Sequence, residues 1–285
     1  MDASDPNRLI YTDRSQRGKL RFGDQQRAWF LDQILTQSFE DMRPGETRDS
    51  ALLTVHGRMQ AYLEATATSE FILCHFEPEL RESLPETLRR YVFATRVTID
   101  DVTDEMGLIL VAGKEVAAHT RDLSHVLALH PTTCLGTEAV YVWVDSSEVP
   151  SVLSKMSEKG GTRASEDELE RLRIANGVPR WGRDMDEKTF PQEAGVDAWA
   201  VHYEKGCYLG QEAMAKIHFR GKVNRRLRRL QVAGDVTPGE EVFAGENRIG
   251  LVTSAADGTA LAMLKYTAEP GTKVRAGRAA ATIVA

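Results

Sequence analysis

Cysteine is scarce in this sequence, and long hydrophobic runs are missing. The 285 residues include only Cys74, Cys134 and Cys207, which are widely spaced. A scattered, odd-numbered set offers neither a disulfide framework nor a Cys-x-x-Cys metal clip, and it suits a reducing compartment. No apolar stretch approaches the roughly 20 residues that a membrane helix needs. We therefore expect a cytoplasmic protein that makes no membrane contact.

A secretory leader and a strong positive charge are also missing. Residues 1–6 carry no basic and apolar leader, so secretion is not expected. The formal net charge of -6 argues against a general nucleic-acid coat, although it permits a local basic patch. Neither a nucleophile elbow nor the glycine spacing of a phosphate loop is present. Function must therefore be inferred from other local motifs.

Strand and helix signals alternate through most of the chain. Apolar spacing predicts helices over 24–39 and 114–129, with Asp24 capping the first. Residues 52–66 have the pattern of a strand, a tight turn and a returning strand. Ser165 and Glu168 have the spacing of a capping box that begins another helix, which should end near residues 176–177. These pieces predict α+β subdomains with mixed sheets.

The last quarter of the sequence has a different character. From Arg226 onward, short apolar runs are separated by glycine-containing turn signals, and strong helix signals are absent. This pattern is typical of a small antiparallel barrel. We predict two regions: residues 1–222 with two interwoven α+β subdomains, and residues 223–285 with the C-terminal β-barrel.

The run from Lys205 to Glu212 is Lys-Gly-Cys-Tyr-Leu-Gly-Gln-Glu. Because a thiol reacts as its thiolate, a lysine before Cys207 and helix N–H groups after it would both favour the reactive form. The alternative is a small buried packing residue. We predict an exposed Cys207 of lowered pKa that faces a cavity as a nucleophile, a transient cluster or persulfide ligand, or a redox relay. One thiolate cannot hold a cluster alone, so no resident metal is expected.

This run resembles the K-G-C-Y-x-G-Q-E signature of the YgfZ family, folate-binding proteins that help assemble or maintain iron–sulfur clusters. That family shares a superfamily with the glycine cleavage T-protein, an aminomethyltransferase. Weaker matches occur in the same order along the chain, at residues 13–18, 30–36, 56–58, 173–184 and 191–193. The resemblance implies a ring of ferredoxin-like α/β subdomains plus a C-terminal barrel. It also implies tetrahydrofolate, or a one-carbon derivative, as cofactor, and iron–sulfur client or assembly proteins as partners.

The resemblance also assigns site residues. It gives Glu193 the place of the carboxylate that accepts two parallel pterin N–H donors. It places Lys205, Gln211 and Arg225 at the cofactor together with the catalytic Cys207. Aromatic walls for the pterin are expected from Trp181 and Tyr208. Trp199 is a further candidate, for which core packing is an equal alternative.

Two features keep other functions open. Gln60 and Ala61 stand where aminomethyltransferases have an aspartate, so the usual acid–base group of that enzyme is not found there. An aminomethyltransferase nevertheless remains an alternative.

The basic stretch, defined as residues 216–229, predicts an anion site for the folate tail or, alternatively, contact with RNA phosphates or a protein partner. It contains Lys216, Arg220, Lys222, Arg225, Arg226, Arg228 and Arg229. The gaps between His119, His125 and His130 do not suit one helical face, so no metal site is predicted.

Overall fold

The computed structural model describes residues 8–284, except for the side chain of Arg220. The expected lack of a leader concerns residues that lie outside this range. Sixteen strands follow in chain order. They are β1 (Ile10–Asp13), β2 (Gly18–Gly23), β3 (Thr47–Leu53), β4 (Met59–Ala67), β5 (Ile72–Phe76), β6 (Thr98–Asp101), β7 (Met106–Ala112), β8 (Val126–Thr132), β9 (Ala139–Asp145), β10 (Thr162–Arg163), β11 (Arg225–Ala233), β12 (Glu241–Ala244), β13 (Asn247–Ala256), β14 (Thr259–Lys265), β15 (Lys273–Ala276) and β16 (Ala279–Val284).

Eight helices complete the described part of the chain. They are α1 (Arg27–Ile34), α2 (Ser83–Arg89), α3 (Val116–Arg121), α4 (Val149–Glu158), α5 (Glu166–Ala175), α6 (Pro191–Ala194), α7 (Asp197–Ala200) and α8 (Gln211–Arg220). The capping prediction for α5 is confirmed at its first residue, because the Ser165 hydroxyl accepts from the Glu168 backbone N–H at 3.2 Å. Glu168 itself pairs with Arg8 instead of reaching back.

One five-stranded sheet has the order β10-β1-β7-β9-β8. The β1–β10 pair is parallel and its other pairs are antiparallel, so the sheet is mixed, as predicted. Strands β7 and β9 are continuous apolar runs because both of their faces are covered. One face packs with α4 in a core that includes Val142 and Met156. The other contributes Tyr141 and Trp143 to the centre of the molecule.

The second five-stranded sheet has the order β3-β4-β5-β2-β6 and is antiparallel throughout. The tight turn between β3 and β4 contains Gly57 at φ +79, in the left-handed region that favours glycine. Phe22, Leu31 and Leu52 are among the core residues that pack this sheet against α1. The predicted strand–turn–strand over 52–66 is confirmed in this hairpin.

The C-terminal strands close into a six-stranded barrel of order β11-β14-β13-β12-β15-β16, with only antiparallel pairs. Alternate side chains such as Leu230, Val242 and Ile283 fill its interior. The predicted α+β fold with a C-terminal antiparallel barrel is confirmed. The barrel begins with β11, three residues after the predicted boundary at 222.

Two predicted helices are much shorter than expected. Helix α1 begins at Arg27 and ends at Ile34, and Asp24 does not cap it, since this residue has a φ of +68 and no side-chain cap bond is made. Residues 126–132 form β8 rather than the end of a helix. This segment pairs with β9 as the edge strand of its sheet, and that tertiary pairing outweighs a weak helical pattern.

A buried ion pair joins the barrel to the rest of the molecule. Arg173 of α5 donates to Asp184 at 2.7 Å and to the Ser254 hydroxyl of β13 at 2.9 Å. Ser254 in turn donates to Asp184 at 2.8 Å. Because all three side chains are buried, the barrel is held in a fixed position beside α5. Within residues 8–284, no helix is long and apolar enough to cross a membrane.

Candidate functional site: a charged central cavity

The two sheets and the segment after α5 enclose a cavity near the centre of the molecule. Its empty space, counted together with the open solvent at its mouth, is about 790 Å³. Aromatic walls come from Tyr62, Tyr141, Trp181 and Trp199. The charged lining residues are Arg14, Arg17, Asp49, Glu64, Glu77, Glu170, Arg173 and Arg180.

Strand register explains why polar groups gather here. Asp49 of β3, Glu64 of β4 and His75 of β5 are directly opposite one another across three neighbouring strands. Directly opposite residues point to the same face of a sheet. From the other sheet, His130 and Tyr141 form a second cross-strand pair, and the His75 ring lies 4.4 Å from the Tyr141 ring between centroids. The two polar rows therefore meet at the cavity.

Arg17, just before β2, is the hub of this cluster. Its guanidinium donates to Glu64 at 2.9 Å, to Glu77 at 2.5 Å and to Nδ1 of His75 at 3.0 Å. The side chain is buried, and the attraction of the two carboxylates outweighs the cost of burial and raises its pKa further above the usual value. Arg17 thus remains charged and fixes the orientation of two cavity carboxyl groups and of the buried His75 ring.

Glu77 is the fully neutralised carboxylate of the cluster. Its second oxygen accepts from Arg180 at 2.9 Å, so two guanidinium groups contact one carboxylate. Burial alone would raise the pKa of Glu77, but Arg17 and Arg180 outweigh it and lower the pKa to about 2. Arg180 also donates to Glu170 at 2.8 Å, which extends the network to α5.

Glu64 is far less well compensated. Burial raises the pKa of Glu64 to about 8. The nearby Asp49 and Glu77 carboxylates add to this rise, and the single contact with Arg17 only partly opposes it. Burial likewise raises the pKa of Asp49, although the Tyr62 hydroxyl donates to this carboxylate at 2.7 Å. The cavity therefore contains Glu77, whose pKa is lowered, beside Glu64 and Asp49, whose pKa values are raised by burial.

The two histidines are buried in their neutral forms. Burial and the nearby Arg17 charge lower the pKa of His130 to about 3 and that of His75 well below its usual value. Nδ1 of His130 is 2.8 Å from the Thr66 hydroxyl, and its Nε2 is 3.7 Å from Glu64. Nε2 of His75 is buried without a partner.

Glu64, His75 and His130 bring ligand atoms within 4.8 Å of one another, which invites comparison with a metal site. The Arg17 guanidinium already occupies one oxygen of Glu64 and Nδ1 of His75. A divalent cation here would lie against that fixed positive charge. The lone pair on Nδ1 of His75 would not be available to it, because that atom already accepts the arginine N–H. This donor set therefore does not fit a metal ion while Arg17 keeps its position.

Trp199 stands at the mouth of the cavity. It is 47% exposed, and its indole N–H donates to the Tyr62 hydroxyl at 2.9 Å. An open groove on the outer side shares Asp49, Thr133 and Trp199 with the cavity.

Of the residues predicted from the sequence, the structure places Trp181 and Trp199 at the cavity. Glu193 lies elsewhere, between α6 and the barrel. Both of its carboxylate oxygens accept from Arg225, at 2.9 and 3.0 Å, and one also accepts from the Phe190 backbone N–H. The pair ties α6 to β11. In this arrangement the carboxylate has no open edge for two pterin donors.

The predicted activation of Cys207 by Lys205 is not what the structure shows. Nζ of Lys205 donates to the backbone oxygens of Asp32, Leu35 and Gln37, each at 2.6 Å. The ammonium thus satisfies carbonyls at the end of α1, and burial lowers its pKa to about 8. The following helix begins only at Gln211, so its N–H groups are not adjacent to the thiol. Cys207 itself is exposed, as predicted.

The rest of the 205–212 segment is used for packing. Tyr208 belongs to the main core, and Gln211 donates to the backbone oxygens of Lys205 and Gly206 at 3.2 and 3.3 Å. Gly210 has a φ of +81, and a Cβ there would come within 2.5 Å of the Thr54 backbone oxygen. Its role is thus close approach to the β3–β4 turn, not to a ligand.

The basic stretch, residues 216–229, is divided among several partners. Lys216 pairs with Glu212 on the surface of α8, and Arg225 pairs with Glu193. Lys222, Arg226 and Arg228 line a shallow polar cleft beside α6. Arg220 is the member whose side chain lies outside the described part of the chain. Gln60, at the position lacking the expected acid, donates to the Leu53 backbone oxygen at 2.6 Å.

Sequence reasoning missed the cluster around Arg17. Its members come from strands that are distant along the chain, so no spacing rule joins them. A usable signal was present, because Glu64 and His75 are ionisable residues at buried positions of the mainly apolar strands β4 and β5. Buried ionisable residues on central strands are rare without a partner, and they mark a site more reliably than spacing does.

The geometry defines an α+β protein with a central ligand cavity and a C-terminal barrel. Comparison with known proteins identifies its relatives. Residues 224–284 match the model of the CAF17 C-terminal β-barrel domain family. The chain superposes on aminomethyltransferase T of the glycine cleavage system from Bartonella henselae with a TM-score of 0.86 and 18% identity, covering 98% of this chain and 85% of that one. That likeness establishes the fold.

Sequence relatives agree with the structural likeness. A tRNA-modifying protein YgfZ from Escherichia fergusonii is 28% identical, covering 73% of this chain and 71% of the relative. An aminomethyltransferase from Rubrobacter xylanophilus is 26% identical over 85% and 70% of the two chains. A chloroplastic transferase-like protein of Arabidopsis thaliana is 25% identical over 90% of this chain, which spans 64% of that relative's length. These similarities support placing the chain in the superfamily of YgfZ proteins and aminomethyltransferases.

Proposed function

We propose that this protein binds tetrahydrofolate, or a one-carbon derivative of it, in the central cavity and acts in the assembly or repair of iron–sulfur clusters in the cytoplasm. The observation that carries the folate assignment is an aromatic-walled, charge-lined cavity at the centre of an aminomethyltransferase-like fold. Folate, when bound, supplies a carrier for one-carbon units. The cluster role is drawn from the resemblance to YgfZ proteins.

The cavity fits the parts of a reduced folate. A pterin is flat and largely apolar, and Trp181, Tyr141 and Trp199 offer aromatic surface for it. Arg14 can take part in polar recognition, because its Nε is buried without a partner. The outer groove beyond Trp199 can hold the benzoyl-glutamate tail, and Arg48 can contact a tail carboxylate there if it exchanges its ion pair with Asp41 for the ligand.

The residues first assigned to folate then divide into two groups. Trp181 contacts the cofactor in this proposal. Glu193, Arg225, Lys205, Tyr208 and Gln211 instead position the lobes around the cavity, because their polar atoms or rings are engaged within the protein. Cys207 keeps its proposed chemical role, as an exposed thiol that acts as a nucleophile, a transient cluster or persulfide ligand, or a redox relay.

Calorimetric titration with tetrahydrofolate under anaerobic conditions tests the binding proposal. Trp199→Ala should weaken binding at least tenfold, about 1.4 kcal/mol, because it removes stacking surface at the mouth. Trp29→Ala is the matched control, since Trp29 is 42% exposed on α1 and does not line the cavity. Equal affinity of the two variants, or no saturable binding by the wild type, would refute the proposal.

The cluster role needs a separate experiment. In cells that lack this chain, the activity of iron–sulfur enzymes should fall, and the wild-type chain should restore it while Cys207→Ser does not. Tetrahydrofolate binding by Cys207→Ser should be unchanged, because the thiol is outside the described cavities. Full restoration by Cys207→Ser would remove the thiol from the account and leave folate binding standing.

A second candidate function is an aminomethyltransferase. Gln60 and Ala61 do not supply the expected acid, but Asp49 and Glu64 bring carboxyl groups to the cavity from β3 and β4. Either group could move a proton at a folate nitrogen. Formation of methylenetetrahydrofolate from an aminomethyl-lipoyl carrier would establish this activity, and its loss in Glu64→Gln would locate the acid. No turnover with saturating folate and carrier would exclude it.

A further inference from the structure

Three carboxyl groups of the cavity lie around one guanidinium group, that of Arg17. Asp49, Glu64 and Glu77 all lie close to Arg17, and Glu77 alone is contacted by two guanidinium groups. Glu64 receives a single charged hydrogen bond, from Arg17 to Oε1 at 2.9 Å. Its Oε2 has a long hydrogen bond of 3.4 Å from the Thr132 hydroxyl and lies 3.7 Å from Nε2 of His130. One oxygen of a buried acid is therefore left without a strong partner.

No neighbouring group can supply a second positive charge to Glu64. His75 accepts from the Arg17 Nε–H through Nδ1, and a protonated ring could not do so. His130 is 3.7 Å away, and burial beside Arg17 keeps it neutral. Lys19 is opposite His75 in the sheet, but its Nζ donates to the backbone oxygens of Ser15 and Arg17. An ionised Glu64 would remain poorly compensated in a buried site.

We propose that Glu64 is an uncharged carboxylic acid in the resting protein and that its O–H, on Oε2, is the hydrogen-bond donor that recognises an acceptor atom of the ligand in the central cavity. A carbonyl oxygen or an unprotonated ring nitrogen, as on the edge of a pterin, is the chemistry this donor selects. The identity of the ligand rests on the proposed folate function; the protonation of Glu64 does not.

A neutral donor predicts a particular pH dependence. Deprotonation converts the O–H donor into an acceptor and places a negative charge against the ligand's acceptor atom. Ligand affinity should therefore be constant at neutral pH and fall about tenfold per pH unit once Glu64 ionises. The pKa of about 8 that burial gives to Glu64 places this fall in an accessible range. The contact with Arg17 on Oε1 persists in either form and keeps the carboxyl group in place.

Two measurements on the full chain test the proposal. Difference infrared spectroscopy of the ligand-free protein should show a carboxylic acid band at about pH 6.5 that disappears by about pH 9.5. Glu64→Gln should remove the Glu64 component of this band and leave any component from Asp49, whose pKa is also raised, in place. Glu170→Gln is the control and should leave the band intact, because Glu170 accepts from Arg173 and Arg180 and its pKa is lowered against the effect of burial.

Calorimetry with tetrahydrofolate over the same pH range is the second measurement. Wild-type affinity should decline above about pH 8, whereas Glu64→Gln, whose amide keeps an N–H donor, should bind within about threefold of wild type at pH 7 and show no decline. Absence of the band, or pH-independent binding by the wild type, would overturn the proposal without needing the variant to fold. If tetrahydrofolate binds at no pH, the folate function and the ligand assignment fail together, and the infrared result alone decides whether Glu64 holds a proton.

Discussion

The central cavity and the 205–212 segment use their charged residues in opposite ways. In the cavity, Arg17 contacts the side chains of Glu64 and Glu77, which line the open space. In the segment, Lys205 contacts backbone oxygens, the carboxyl group of Asp32 and the ring of Tyr208, and so closes the end of α1. A cation whose partners are titratable side chains can take part in binding. A cation that caps a helix is structural, however distinctive the sequence around it.

Among changes in the cavity and in the 205–212 segment, removing Arg17 should have the largest effect on the free energy of unfolding. Arg17→Met leaves Glu64 and Glu77 buried without their shared cation, so we expect a loss of about 3–5 kcal/mol in the free energy of unfolding. The control is Arg21→Gln on β2, where the partly exposed pair with Asp100 should contribute less than about 1 kcal/mol. Denaturant titrations of both variants measure the difference. Equal losses would show that the cavity network is no more than a surface-type ion pair.

Removing Lys205 should have the next largest effect. We expect it to lower the free energy of unfolding and to leave tetrahydrofolate affinity nearly unchanged. Lys205→Met leaves three backbone oxygens without their donor, which should cost about 2 kcal/mol. Tetrahydrofolate affinity should stay within about twofold of wild type, because the ammonium is outside the cavity. The exposed Lys216→Met is the control and should leave the unfolding midpoint unchanged. A selective loss of folate binding in Lys205→Met would instead return the segment to the binding site.

The pH dependence of stability gives a smaller, signed effect. The pKa of Glu64 is raised from 4.5 to about 8 on folding, so between these values the folded state holds a proton that the unfolded chain has lost. This contribution to stability is complete below pH 4.5 and is lost as pH rises through 8, with a slope of at most ~1.4 kcal/mol per pH unit. Glu64→Gln should flatten the decline.

The interval from about pH 6.5 to 8 is the best place to look for this decline. The buried histidines, whose pKa values are lowered, destabilise the fold only as pH falls below 6.5. Lys19 and Lys205, with pKa values lowered to about 8, act with the opposite sign above that value. Identical pH profiles for wild type and Glu64→Gln would contradict the assigned titration.

Changing Cys207 should have the smallest effect on the fold. Cys207→Ser should alter the free energy of unfolding by less than about 0.5 kcal/mol, since the side chain is exposed. In the native wild type, iodoacetamide should modify Cys207 first. Burial protects Cys74, and burial raises the pKa of Cys134 to about 12. Mass spectrometry of the labelled peptides identifies the site, and preferential labelling of Cys134 would show that the cavity opens readily.

Much of the fold followed from the sequence because its signals are local. Glycine-rich turns between short apolar runs indicated the barrel, and Ser165 marked the start of α5. The candidate site did not follow, because it depends on register between strands. Asp49, Glu64 and His75 are brought together by pairing of β3, β4 and β5, and no spacing along the chain encodes that pairing. The 205–212 segment, which resembles a family signature, is used for packing. Gly210 closely approaches the β3–β4 turn, and Tyr208 belongs to the core.

A crystal structure of the protein soaked anaerobically with tetrahydrofolate tests the central claim most directly. Our account predicts pterin density between Trp199 and Tyr141, with an acceptor atom within hydrogen-bonding distance of Oε2 of Glu64 and the tail in the groove beyond Trp199. Density instead at the Glu193–Arg225 pair, with the ion pair opened, or beside Cys207 with the central cavity empty, would contradict it.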